Sequence, residues 1–321
     1  MLGGLLALVS AAFFSLNNAT ARRGVVSGSV WQGMAISVPF GVPFFFAALL
    51  IFGSLSELAT FSWASMFWLG CAGIVHFVIG RYANYRGSKA IGTNLVGPIQ
   101  DTNILVALGL AIFFLGEKLN GIMVIGIVLV CLGPVLTWKK GKSETTSSFK
   151  PNWPEGIFFA IISSLSYGTS PIFVRLGLET GGGIGRGVAA GLISYIAASG
   201  AAGLAMLRPG TMKDISRIGR SNLNWFFIAS VAVGMAQMLR YMALSLAPVS
   251  VVAPMMRLSS VFRVYFSWLI NREHEIFGPG IVVGTFVSLA GALILSIQSD
   301  AVLGWLPASE ALSALLAWRW P

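Results

Sequence analysis

Polar positions are the exceptions along this chain. No Asp, Glu, Lys or Arg interrupts residues 1–21, 24–56, 58–80, 119–138, 156–174, 187–207, 221–239 or 276–299. Each run has about the 20 residues that a helix rising 1.5 Å per residue needs to cross hydrocarbon. Two more segments are long enough but carry charge inside: 90–116 contains Asp101, and 241–271 contains Arg257 and Arg263. Backbone groups in lipid must be bonded within the spanning element, and runs this continuous are wrong for the short alternating strands of a barrel. The pattern predicts an all-α integral membrane protein with ten transmembrane helices.

The two halves of the pattern echo each other. "RYANYRGSKAIGTNLVGPIQDTNILVALGLAIFFLGEKL" begins at Arg81, and "RYMALSLAPVSVVAPMMRLSSVFRVYFSWLINREHE" begins at Arg240. Arg81-Tyr82 aligns with Arg240-Tyr241, Pro98 with Pro254 and Glu117 with Glu273, while Gly126 and Gly133 repeat the separation of Gly284 and Gly291. "SLNNAT" at Ser15 echoes "SLSYGT" at Ser164 more faintly. The expected division is a first five-helix repeat over 1–137, a polar linker over 138–154, a second repeat over 155–296 and a tail over 297–321. An odd number of spans per repeat inverts one half relative to the other, as in many secondary transporters. The tail reads as an interfacial helix or a partial eleventh span.

Composition agrees, with 56% hydrophobic and only 10% charged residues among 321, against about 25% charged in soluble domains. The net charge of +10 sits mostly in short loops, so it bears on orientation in the bilayer and gives no reason to expect a nucleic-acid partner. Most Lys and Arg follow the odd-numbered spans, which by the positive-inside rule puts both termini outside. Cys71 and Cys131 lie in apolar runs and His76 is the one histidine within such a run, which supports neither a disulfide framework nor a metal site. No spacing of nucleophile, base and acid suggests an enzyme. The first run has no basic start and is expected to remain as a helix rather than be cleaved as a signal peptide.

Candidate chemistry gathers where charge enters the membrane. Carrying the proline match forward three positions sets Asp101 against Arg257. Two readings stand: a buried structural pair between the halves, or a locus where each charge meets the opposite end of a zwitterionic substrate. Asn17, Asn18 and Tyr167 are candidates for lining the same cavity or for polar packing between helices. Glu117 and Glu273 read as helix-end contacts, Trp31, Trp63 and Trp225 as interfacial anchors, and the paired glycines as close helix packing.

The "RY" before a small-residue segment, the fourth- and ninth-helix prolines, "FFLGEKL" and the glycine-rich fifth and tenth helices together resemble the drug/metabolite transporter superfamily, specifically ten-helix carriers with two EamA-type domains. The resemblance implies alternating access by a secondary transporter for a small polar, zwitterionic or anionic metabolite, such as an amino acid, acting as an exporter or exchanger. It implies a cavity lined by helices three, four, eight and nine, here His76, Tyr82, Gln100, Asp101, Asn103, Gln237, Tyr241 and Arg257. It implies no cofactor, a proton or counter-substrate as coupling partner, both termini inside, and residence in a bacterial inner (plasma) membrane. A membrane receptor or assembly scaffold is the alternative.

Overall fold

The computed structural model describes residues 2–106, 109–110, 119–141, 150–178, 183–246, 252, 255–296 and 319–320. Helices dominate: α1 (Leu2–Ser27), α2 (Val30–Ser37), α3 (Gly41–Phe52), α4 (Trp63–Gly73), α5 (Arg81–Ile91), α6 (Thr93–Asp101) and α7 (Gly121–Gly141) in the first half. The second half contributes α8 (Trp153–Leu178), α9 (Ile184–Met206), the short α10 (Pro209–Ile215), α11 (Arg220–Leu246), α12 (Ser259–Asn271) and α13 (Pro279–Ser296). Leu119–Asn120 and Arg319–Trp320 add a two-residue antiparallel pairing. Glu117, Lys118, Pro254 and most of the linker and tail lie outside the described residues.

Among the described residues, six helical segments are long and apolar enough to cross a membrane: Leu2–Ser27, Val30–Phe52, Trp63–Ile91, Trp153–Leu178, Ile184–Met206 and Arg220–Ala243. Met123–Leu136 and Pro279–Ile294 are shorter apolar helices. The surface is inverted relative to a water-soluble protein. Ile51, Leu204, Phe158 and Phe286 are exposed, whereas Ser10, Ser15, Ser163, Ser194, Ser230 and Ser267 are buried. Lipid gives apolar side chains no reason to face inward, so small residues and hydrogen bonds hold the helices together. Ser10 Oγ donates to the Ala236 carbonyl at 2.6 Å, Ser194 Oγ to that of Leu69 at 2.9 Å, and Asn271 Nδ2 to that of Ala19 at 2.7 Å.

α1 packs along α11, α8 runs along α4 and α5, α3 meets α9, and α7 lies against α13. The expected glycine packing is present in the last pair. A Cβ on Gly133 would overlap Ser288 and the Gly284 carbonyl, and one on Gly291 would crowd Leu129, Val130 and the Gly126 carbonyl.

One end of the bundle is tied shut around Glu275, which is 2% exposed. Its carboxylate accepts from the Thr93 N–H at 2.6 Å and the Asn94 N–H at 3.1 Å, capping the N-terminus of α6, where unsatisfied amides and the helix dipole favour an anion. Gly92 precedes this cap at φ 85°, and a Cβ there would strike the same carboxylate, so both backbone and space require glycine. Arg22 Nε lies 3.4 Å from Glu275 Oε1, and its other nitrogens donate to the Lys89 and His274 carbonyls at 3.1 and 2.7 Å. Lys89 Nζ donates to the Gly28 carbonyl at 2.7 Å, and the Asn152 N–H to that of Ala90 at 2.8 Å. Burial and the nearby Arg23 and Arg22 hold the His274 imidazole below its ordinary pKa. It therefore stays neutral until the pH drops beneath the usual histidine range, where protonation opposes this packing.

Removing the carboxylate in Glu275→Ala leaves Arg22 buried without its counter-charge and strips the α6 cap. The expected loss is about 3–5 kcal/mol. Glu155→Ala, which breaks a half-exposed pair with Arg86, should cost about 1 kcal/mol or less. Thermal unfolding of both variants in one detergent checks the order; equal losses would show that Glu275 is not the fastener.

Candidate functional site

The span Trp63–Ile91 is not a uniform α-helix. Ile74–Gly80 adopts π-helical geometry between α4 and α5, and such insertions recur at functional sites because they re-aim side chains. Here the insertion carries His76 into the bundle. Its Nδ1 lies 2.8 Å from Ser170 Oγ, its Nε2 lies 2.8 Å from Gln237 Nε2, and its ring is 4.6 Å from Tyr167. Arg240 Nη1 donates to Gln237 Oε1 at 3.4 Å. That fixes the amide, so Gln237 Nε2 donates to His76 Nε2, and the imidazole proton must reside on Nδ1 and be donated to Ser170. A directed chain Arg240→Gln237→His76→Ser170 results, with His76 neutral.

A second polar group forms where α6 meets α12. Asp101 Oδ2 accepts from Arg263 Nη2 at 3.0 Å and from Ser260 Oγ at 2.8 Å, and Arg263 also donates to Ser260 at 3.0 Å. This corrects the sequence pairing: the ionic partner of Asp101 is Arg263, not Arg257. The close approach depends on Gly97, because a Cβ there would overlap the Arg263 guanidinium. Arg257 instead donates through Nη1 to Asn103 Oδ1 at 2.8 Å, while its Nε is buried with no hydrogen-bond partner among the described residues. Arg240 and Asp101 are the charges that bear on it.

His76, Tyr167, Arg240 and Arg257 lie deep among the helices and yet keep part of their surface accessible. These four partly exposed polar side chains form the candidate wall of a site between the two halves. Of the other sequence candidates, Asn18 belongs to this wall, accepting from Asn84 Nδ2 at 3.1 Å beside Tyr167. Gln100 is buried and donates to Ser163 at 2.6 Å. Asn17 is buried with its Oδ1 unpartnered. Tyr241 is 3% exposed within the apolar core, its hydroxyl 3.4 Å from Ser194 Oγ. Tyr82 packs between Trp31 and Phe159.

Sequence reasoning missed Arg240, Arg263, Ser260, Ser170 and Asn84 as parts of the site. Arg240 had a signal, the repeated "RY". Its counterpart Arg81 donates to the Ser37 carbonyl at 2.9 Å and Tyr195 Oη at 3.1 Å, with its guanidinium over the Phe77 and Tyr195 rings.

The chain matches the EamA-like transporter family over residues 1–139 and again over 154–297. It belongs to that family and carries two EamA domains. A solved crystal structure is similar over 91% of this chain and 95% of its own, with a TM-score of 0.62 at 14% identity, which shows a shared fold. No curated protein matches by sequence. The protein is thus a membrane transporter of the drug/metabolite type and not an enzyme. Its partners are the lipid bilayer and a small-molecule substrate.

The corrected pairing gives distinct expectations for two arginines. Arg263→Gln leaves Asp101 unpaired in a dry site and should destabilise by about 3–5 kcal/mol. Arg257→Gln removes a guanidinium that faces no carboxylate within ion-pair distance among the described residues, and should change stability by about 1 kcal/mol or less. Denaturation of each variant, with Asp101→Asn as the matching partner of Arg263→Gln, measures this. Greater damage from Arg257→Gln would restore the pairing expected from sequence.

Proposed function

We propose that the protein is a secondary transporter built from ten spans as two inverted five-helix repeats, carrying a small polar metabolite by alternating access between the halves. One observation carries the reading: the contacts of the polar string run between the repeats. His76 meets Ser170 and Gln237, Asn103 meets Arg257, Asp101 meets Arg263, and Gln100 meets Ser163. A site made of both halves changes when one half rocks against the other, which is what carriers of this construction require.

The packing pattern supports the repeat. Exchanging the halves turns the α1–α11 contact into that of α8 with α4 and α5, and maps α3–α9 and α7–α13 onto themselves. A helical bundle rather than a barrel favours an inner (plasma) membrane over an outer one. The fastening around Glu275 makes one mouth of the cavity the closed mouth in this conformation. Thr93 and Ser267 lie just inside it, their hydroxyls 3.2 Å apart on α6 and α12. Energy comes from exchange against a counter-substrate or from an ion gradient, and the direction is export or exchange.

The test uses Thr93→Cys with Ser267→Cys, after Cys71 and Cys131 are replaced by serine, reconstituted in liposomes and assayed with a metabolite panel. The cysteine-free protein should show saturable flux stimulated by solute on the far side. Oxidation should lock the double variant closed and abolish that flux, and reduction should restore it. Unchanged transport through the locked protein, or flux that never saturates, would overturn alternating access at this mouth.

A further inference from the structure

Among the described residues, Arg81, Arg240, Arg257 and Arg263 enter the middle of the bundle, and Asp101 is the one carboxylate there. A buried charge away from water is tolerated when hydrogen bonds and a counter-charge replace its hydration. Arg263 satisfies that rule through Asp101 and Ser260. Arg81 has no counter-charge among the described residues, and a carbonyl, a hydroxyl and two ring faces stand in for its hydration. Arg240 and Arg257 are less well met. A guanidinium offers five N–H donors, yet among the described residues Arg240 makes one long hydrogen bond, at 3.4 Å to Gln237, and Arg257 makes one to Asn103 at 2.8 Å.

The repeat sharpens the contrast. Arg81 and Arg240 are the same motif position in the two halves, and among the described residues Arg81 has two hydrogen bonds and two aromatic faces while Arg240 has one long hydrogen bond. Both uncommitted arginines are tethered by amides, Gln237 and Asn103, which orient the side chains without neutralising them. Asp101 is already neutralised by Arg263, so no uncompensated carboxylate among the described residues awaits a substrate ammonium. An anion would find two cationic forks; a cation would meet net repulsion.

We infer that Arg240 and Arg257 form a clamp for the oxyanion groups of the substrate, which makes this carrier selective for a small organic anion, a carboxylate or a phosphate ester, over zwitterions and cations. The inference rests on the proposed transport reading, for the same cavity, and narrows its substrate class. Arg–oxyanion contacts are frequently bidentate, so the two forks together suit a dianion or two separated single charges. Gln237 links the clamp to His76, placing an uncharged polar relay behind the anion rather than a competing carboxylate.

The experiment compares wild type, Arg240→Gln and Arg257→Gln in detergent and in liposomes. The probes are succinate, glycerol phosphate and inorganic phosphate as anions, alanine as a zwitterion, putrescine as a cation and glycerol as a neutral solute. Wild type should be thermally stabilised by one or more of the anions and by none of the other probes, and the same anions should be transported. Succinate against the phosphate probes separates carboxylate from phosphate recognition. Each variant should weaken the anion's apparent affinity at least tenfold while unfolding at nearly the wild-type temperature. A variant that does not fold leaves the wild-type ranking to decide. Anion affinity unchanged in a folded variant, no stabilisation of wild type by any anion, or preference for alanine, putrescine or glycerol would each overturn the clamp. Saturable flux of one of those other solutes would do so while leaving the carrier reading intact; an absence of saturable flux for every solute, with anion binding preserved, would overturn the carrier reading and keep the clamp as a binding site.

Discussion

The cost of holding a guanidinium away from water organises this molecule. Hydrocarbon and close-packed helices supply almost nothing to solvate a charge, so each arginine inside the bundle must be met by something specific. Arg22 is met by Glu275 and two carbonyls, Arg263 by Asp101 and Ser260, Arg81 by Ser37, Tyr195 and a pair of aromatic faces. These three solutions also hold helices together across the fold. The first joins α1 to α5, α6 and the segment after α12, the second joins α6 to α12, and the third ties α5 to α2 and α9. Against them, the sparse contacts of Arg240 and Arg257 stand out as a difference in kind.

Internal repetition made such a difference available. Two copies of one unit begin with equivalent residues, and each copy can then be specialised. Arg81 became a structural cation and Arg240 a cavity cation; Asp101 faces α12, and the aligned position in the other half holds Arg257. A carrier needs the halves similar enough for two packings of comparable energy and different enough for one asymmetric ligand to sit between them. The polar contacts across the halves are where both demands meet, and the π-helical stretch that delivers His76 is a local irregularity serving the second.

The sequence made the fold class legible because the constraint is so strong: a charge-free run of twenty residues has few physical outcomes. The paired glycines read as close helix packing, and the structure shows where: a missing Cβ at Gly133 and Gly291 lets α7 and α13 approach. The pairing of Asp101 was harder. Arg257 and Arg263 are six residues apart, about 9 Å along a helix, and which of them reaches Asp101 is set by how α12 crosses α6 and by the opening at Gly97. A single sequence contains no crossing angle. Arg240 ends the charge-free run 221–239, yet α11 continues to Leu246, so the residue falls inside the bundle. Tyr241, its neighbour, lies about 100° further round the helix and is buried in the apolar core.

A clamp of two like charges also shapes the transport cycle. With the site empty, Arg240 and Arg257 repel each other, and any step that dries the cavity removes the water that screens that repulsion. An anion between them converts repulsion into two attractive contacts, which strengthen in the same low-dielectric surroundings. Closure over a loaded site is therefore easier than closure over an empty one. A carrier that crosses the occluded state more readily when loaded favours exchange of one anion for another over net movement, and in the proposed clamp that asymmetry follows from the charges themselves.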